Sequence, residues 1–291
     1  MPRIHLHRIP LRRPLHTLTF ALLAIAALPH VCAQEAPTDP VALVRAASWN
    51  ELHASNGGSP FRFQLRKQDE NGITTKNIVE TKDGDIARLV KVDDKPLTPD
   101  RTRQEQQRLD NLMAHPELQA RRHKKEQEDS GRENGMVRLL PDAFLYTYRG
   151  IVTTPSGPAY KLSFEPNPKF IPPNREAEVY HGMAGELWID CAQKRMAKLD
   201  AHLISDVNFG WGIVGRLFKG GTILVEQRDV GQNHWESTHL KLNLTGKILM
   251  VKGLNIQSTE DSTDFAPVSK TFTYQDAIRL LESDKHEVAS R

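Results

Sequence analysis

From Ala143 to Tyr274 the chain repeats one pattern, short runs in which every second residue is apolar, separated by turn residues. Tyr160, Leu162 and Phe164 form one such run, and Leu187, Ile189 and Cys191 another. Leu199, Ala201 and Leu203 follow, then Ile223 and Val225, then Leu240, Leu242 and Leu244, with Ile248 to Leu254 and Thr271 to Tyr274 completing the set. A period of two puts the apolar members of each run on one face of a strand. Turns are predicted at Asp190 to Lys194, at Gly231-Gln232-Asn233 and at Thr245-Gly246-Lys247. The same alternation starts earlier with Phe61, Phe63 and Leu65, turns at Glu70-Asn71-Gly72, and continues through Ile73–Thr81 and Asp85–Val92, joined at Lys82-Asp83-Gly84. Strands and helices do not alternate, so a parallel sheet has no crossovers to build it. The expected fold class is α+β and β-dominated: roughly ten antiparallel strands in up-and-down order, forming one strongly curved sheet with covering helices.

Helical patterning is confined to four places. Pro37 to Pro40 reads as a linker (34–40), and Val41 to Ser55 as an amphipathic helix stopped by Asn56-Gly57-Gly58. Thr98-Pro99-Asp100 is a helix start, with Thr as N-cap, Pro at the first helical position and an acid in the first turn. The charged segment from there to Arg132 has few apolar anchors (Leu109, Leu112, Met113, Leu118), and Pro116 divides it into two helices. The second carries Arg121-Arg122-His123-Lys124-Lys125-Glu126 and reads as a solvated face or a loose flap. Met136 to Phe144 reads as a short apolar helix turn. A last short helix is expected at Tyr274 to Leu281, and the tail 283–291 is expected to be loose. Residues 41–282 therefore read as one domain with a charged helical insertion at 98–132.

The amino end has the layout of a secretory leader. Arg3, Arg8, Arg12 and Arg13 precede an apolar run from Leu18 to Leu28, and Val31-Cys32-Ala33 offers a cleavage site after Ala33. That run of about 11 residues is half of the roughly 20 that a bilayer-spanning helix needs. The address implied is periplasmic or secreted, with no transmembrane segment in the mature chain. The full sequence has 39 Lys+Arg against 36 Asp+Glu; without the four leader arginines it has 35 against 36, a net charge of −1. A near-neutral chain lacks the basic excess of a nucleic-acid binder. With Cys32 assigned to the leader, Cys191 is expected to be a single buried thiol, so the core must hold without an internal disulfide.

Chemical motifs fail their structural context. Gly210-Trp211-Gly212-Ile213-Val214-Gly215 matches G-x-G-x-x-G, but only Arg216 to Lys219 separates it from Gly220-Gly221 and the next strand, too little for the helix that holds a pyrophosphate. An apolar loop remains, with Trp211, Ile213 and Phe218 as candidate rim residues. The eight histidines after the leader form no metal-ligand motif; His234 and His239 are five apart, on opposite faces if both lie on one strand. Glu165, Glu186, Asp190 and Glu226 lie on or beside strands and read as solvated acids, with a carboxylate-dependent hydrolase as the minor alternative. Trp188, Trp235, Phe144, Tyr146 and Tyr148 read either as core or as the lining of an apolar cavity. No catalytic residue, metal or cofactor is implied.

Gly185-Glu186-Leu187-Trp188-Ile189-Asp190, then Arg195 to Leu203, then Lys219-Gly220-Gly221-Thr222 to Glu226-Gln227 and Trp235, resemble the LolA-like superfamily, which includes periplasmic lipoprotein carriers and outer-membrane lipoprotein-sorting proteins. The resemblance covers about residues 143–274. It implies an unclosed β-barrel whose concave apolar face, covered by helices, shelters acyl chains. The candidate face is then Leu162, Phe164, Leu187, Ile189, Leu199, Leu203, Ile223 and Val225, and the implied partner a lipid or an acylated protein. An envelope scaffold with a filled core, meeting a partner protein through 98–132, is the alternative.

Overall fold

The strands alternate as their sequence requires, and they join in an order that leaves the sheet open. A computed structural model describes residues 37–54, 59–210, 214–249 and 252–288; the segment expected to be a leader, with Cys32, and the rim candidates Trp211 and Ile213 lie outside the described residues. The described residues all fall in one compact unit. Helix α1 (Pro40–Ala54) leads into strands β1 (Phe61–Asp69), β2 (Gly72–Val79), β3 (Ile86–Val92) and β4 (Lys95–Pro96). Helices α2 (Pro99–Ala114) and α3 (Pro116–Ala143) come next. Strands β5 (Phe144–Thr154) and β6 (Gly157–Pro166) precede a 3-10 helix (Glu176–Gly182). Then come β7 (Met183–Asp190), β8 (Met196–Leu203), β9 (Val207–Phe209), β10 (Gly215–Leu217), β11 (Thr222–Asp229), β12 (Trp235–Ile248), β13 (Lys252–Pro267) and α4 (Tyr274–Val288).

The sheet runs β4-β3-β2-β1-β13-β12-β11-β8-β7-β6-β5, antiparallel throughout, with β9 and β10 paired beside β12. It is not a simple up-and-down meander: β1 pairs with β13, so chain start and chain end meet mid-sheet. The outer strands of this path, β4 and β5, are consecutive in sequence, and α2 with α3 is the only chain between them. The charged segment is therefore a strap from one edge of an open sheet to the other.

That position explains why the segment is not a flap. Thr98 caps α2 as predicted, its side chain accepting from Arg101 N at 3.4 Å. Leu109 and Leu112 bury against Val79, Ile86 and the Tyr274, Ala277, Ile278 and Leu281 face of α4. Gln119 of α3 donates to Asp83 O at 2.8 Å and Glu126 accepts from Asp85 N at 3.2 Å, pinning the strap to the β2–β3 turn. The far end of α3 buries Leu140 and Ala143 beside α1 and continues without a break through Met136 to Ala143, with Pro141 inside the helix.

Four other expectations need correcting. Thr245-Gly246-Lys247 is no turn but the interior of β12. Gly246 is there because β10 lies so close that a Cβ would come within 2.2 Å of Arg216 O. Thr271–Tyr274 is not a strand; Tyr274 opens α4, which continues to Val288 instead of fraying after Ser283. Cys191 is disulfide-bonded, not a lone thiol. The strands also number more than ten, because β4, β9 and β10 are too short to leave a periodic signal.

Close strand contact also fixes Gly185, where a Cβ would fall 2.0 Å from Asp200 O. Gly185→Ala is expected to cost about 1–3 kcal/mol through forced backbone movement. Gly253→Ala, with nothing within 4 Å of the added carbon, should stay within about 0.5 kcal/mol of wild type. Urea midpoints of the two variants check this.

Candidate functional site

Register decides which residues share a face. Directly opposed residues in antiparallel strands point the same way, and Phe164 opposes Gly185, Leu162 opposes Leu187, Leu187 opposes Leu199, and Leu203 opposes Met183. Val225 opposes Leu199, and Ile223 opposes Ala201. Ile189 follows at the same parity along β7, opposing Tyr160. All eight candidate residues therefore lie on one face, called here the inner face.

Helices cover only part of it. Leu162, Phe164, Leu187, Ile189 and Leu203 are buried in a core with Leu43, Val44 and Ala47 of α1, Leu140 and Ala143 of α3, and Ala177 and Tyr180 of the 3-10 helix. Leu199 and Ile223 pack at the margin of that core. Val225 is half-buried and outside it. The five fully buried positions are thus occupied by the protein's own side chains. Phe144 (2% exposed) and Trp235 (6%) belong to cores, and Tyr146 anchors α3 by donating to Leu140 O at 2.7 Å.

Beyond Val225 the inner face continues without helices from the described residues. Val225 opposes Leu240, Ile223 opposes Leu242, and Leu244 opposes Ile256. Across β13 and β1 the same face carries Leu65 opposite Ser262, Phe63 stacked on Phe265 with ring centroids 5.2 Å apart, and Ile78 opposite Phe63. Each of these apolar side chains is half-buried, and Ile223 and Leu244 pack at the margin of the first core. The Lys67–Glu260 ion pair, 2.8 Å, interrupts the strip. The opposite face is polar there: Gln68, Lys241, Asn243, Asn255, Gln257 and Thr259 line a cleft of about 310 Å³. A second hollow, about 390 Å³, lies between Gly131, Gly135 and Met136 of α3 and Asn174. Neither contains a candidate residue. Phe218 is half-buried next to β10, hydrogen-bonded through its amide to Thr245 O at 2.8 Å.

The strand acids do not meet. Glu186 pairs with Lys161 (2.8 Å) and Glu226 with Lys198 (3.2 Å), and both lysines flank Trp188 on the outer face. Asp190 is buried and holds the β7–β8 turn by accepting from Ala192 N and Gln193 N. Glu165 is exposed.

What does meet is a polar crossroads at one end of the inner face. Arg195 donates twice to Glu51 of α1, at 3.0 and 2.7 Å, and Trp235 donates to Gln193 at 3.0 Å. Beside it, Glu80 accepts from Phe61 N at 2.8 Å, the Phe61 ring stacks on His234 at 4.3 Å, and His234 Nε2 lies 2.6 Å from Glu236 Oε1. Burial, with Glu236 adding repulsion, pushes the Glu80 carboxyl up to about 7. Burial and then Glu126 push Asp85 to about 6. The hydrogen bond with Glu236 raises His234. Sequence reading missed this cluster. His234-x-Glu236 was legible as a same-face pair at a strand start, but nothing local ties it to Glu80.

No protein-family model and no curated protein match the chain. Among solved structures it is similar to a putative outer membrane lipoprotein-sorting protein domain from Vibrio parahaemolyticus, at 8% identity and TM-score 0.27, covering 81% of this chain and 97% of that one.

A carboxyl raised from 4.5 to about 7 holds a proton in the folded chain that the unfolded chain releases across that interval. Its contribution to stability is complete below about pH 4.5 and is lost as pH rises to about 7. The His234 shift acts in the same direction. In chelator-containing buffer, urea midpoints should fall over that window, and Glu80→Gln should flatten the fall.

Proposed function

We propose that this chain is an exported, non-enzymatic envelope protein that shelters an acyl chain, of a lipid or an acylated protein, against the uncovered half of its inner face. The observation that carries the reading is the contrast along one continuous face. Its β5–β8 half is closed by α1, α3 and the 3-10 helix, whereas Phe63, Leu65, Ile78, Val225, Leu240 and Leu242 are half-buried and belong to neither core. Apolar side chains left uncovered on a folded chain mark a binding site; here they lie on both sides of β13, whose Ser258, Glu260 and Ser262 share the face, and each acyl methylene buried against them is worth about 0.8 kcal/mol. The ligand therefore lies further toward β1 and β13 than the candidate residues read from the sequence, with Leu199, Ile223 and Val225 shared. The sequence resemblance to lipoprotein carriers points the same way.

The disulfide at Cys191 suits an oxidising compartment.

Purified, delipidated protein is expected to take up a fluorescent fatty acid, and Leu240→Asp or Leu242→Asp to abolish uptake while leaving the urea midpoint within about 1 kcal/mol of wild type. Uptake unchanged in both variants, or absent from the wild type, would favour a scaffold whose charged α2–α3 strap meets a protein partner.

A further inference from the structure

The crossroads contains side chains that the acyl site does not use. Glu80 follows β2, His234 precedes β12 and Glu236 is the second residue of β12. One ligand atom from each lies within 4.8 Å of the other two. We propose that Glu80, His234 and Glu236 form a binding site for a divalent transition metal of the zinc type, joining the β11–β12 hairpin to β2.

The donor set argues for that class of ion. One imidazole nitrogen with two carboxylate oxygens suits a borderline cation such as Zn²⁺, whereas Ca²⁺ and Mg²⁺ require many more oxygens. The ligands are also held from behind. Phe61 N donates to the Oε2 oxygen of Glu80 and holds the carboxylate in place. The Phe61 ring lies against the His234 imidazole at an interplanar angle of 21° and fixes its plane. Trp235, between the two hairpin ligands, is buried and tied to Gln193, which sets the direction in which His234 and Glu236 project. Glu51 grips Arg195, the nearby guanidinium, through both of its oxygens. Asp85 adds negative potential from the β2–β3 turn. Without metal, the 2.6 Å contact between His234 and Glu236 fills the gap; an ion replaces that proton-mediated contact with two metal bonds. Three protein ligands leave a fourth tetrahedral position open.

The test uses the exported full chain, stripped with chelator and titrated with ZnCl₂ by calorimetry, with Co²⁺ absorption in the visible reporting a tetrahedral site. The expected result is one equivalent of Zn²⁺ that raises the melting temperature, with MgCl₂ and CaCl₂ having no effect. Disturbing groups behind a metal ligand already weakens binding about 10–100-fold, so loss of a ligand should exceed that. Affinity should therefore fall more than about 100-fold in His234→Ala and in Glu236→Gln, and the cobalt spectrum should be lost. His239→Ala, whose imidazole pairs with Asp261 instead, should bind as wild type. Because His234→Ala removes a stacking partner, Glu236→Gln serves as the shape-preserving check, with circular dichroism confirming the fold. The inference is overturned if the wild type shows no zinc-dependent change, or if Glu236→Gln retains the full equivalent at unchanged affinity.

Discussion

An open antiparallel sheet has two edges with unpaired amides and carbonyls, and the rest of this molecule is arranged around them. Here the edges are β4 and β5, neighbours in sequence placed at opposite ends of the path, because β1 pairs with β13 in the middle. Only α2 and α3 join them. A 28-residue helix reaches about 42 Å, enough to cross an open side in one piece, so the chain can leave the barrel unclosed and still tie its margins together. The high charge of α3 follows, since a crossing strap has few neighbours to bury against. Its anchors, Gln119 and Glu126 on the β2–β3 turn and Leu140 with Ala143 under α1, lie where it meets each half.

Closing the sheet with a strap leaves one apolar face with two fates. Over β5–β8 the helices supply Leu43, Val44, Ala47 and Tyr180, and the face becomes ordinary core. Over β11–β13 and β1 no helix among the described residues does so, and the side chains stay half in water. Burying them belongs to a ligand on this account, and the Lys67–Glu260 pair, with Ser258, Ser262 and Lys76 on the same face, gives the strip polar points along β13, β1 and β2. At the end of the strip, Glu51, Arg195, Trp235, Glu80, His234 and Glu236 bring α1, β2 and the β11–β12 hairpin together.

Much of the β architecture was legible because a period of two needs no long-range information: all eight predicted face residues share one side, and the β1–β2 hairpin turns where Asn71-Gly72 requires. The misreadings have specific causes. Gly246 looks like a turn residue, but the tightness of β10 against it is a contact with distant sequence. Pro141 and the apolar turn before Phe144 look like a separate element, yet α3 runs through both. The polar stretch Ser258 to Asp264 hides the middle of β13, whose place is set by pairing with β1 and β12. Which half of the inner face is helix-covered, and the approach of Glu80 to His234, depend wholly on tertiary packing and leave no local trace.

The central claim, that the helix-free half of the inner face holds an acyl chain while the other half is sealed, is tested most directly by photocrosslinking. A diazirine-tagged fatty acid is irradiated with the purified, delipidated protein and its adducts are mapped by peptide mass spectrometry. The account predicts adducts on Phe63, Val225, Leu240 or Leu242 and none on Leu162, Leu187 or Ile189. Adducts confined to the β5–β8 half, or the absence of specific adducts, would contradict it.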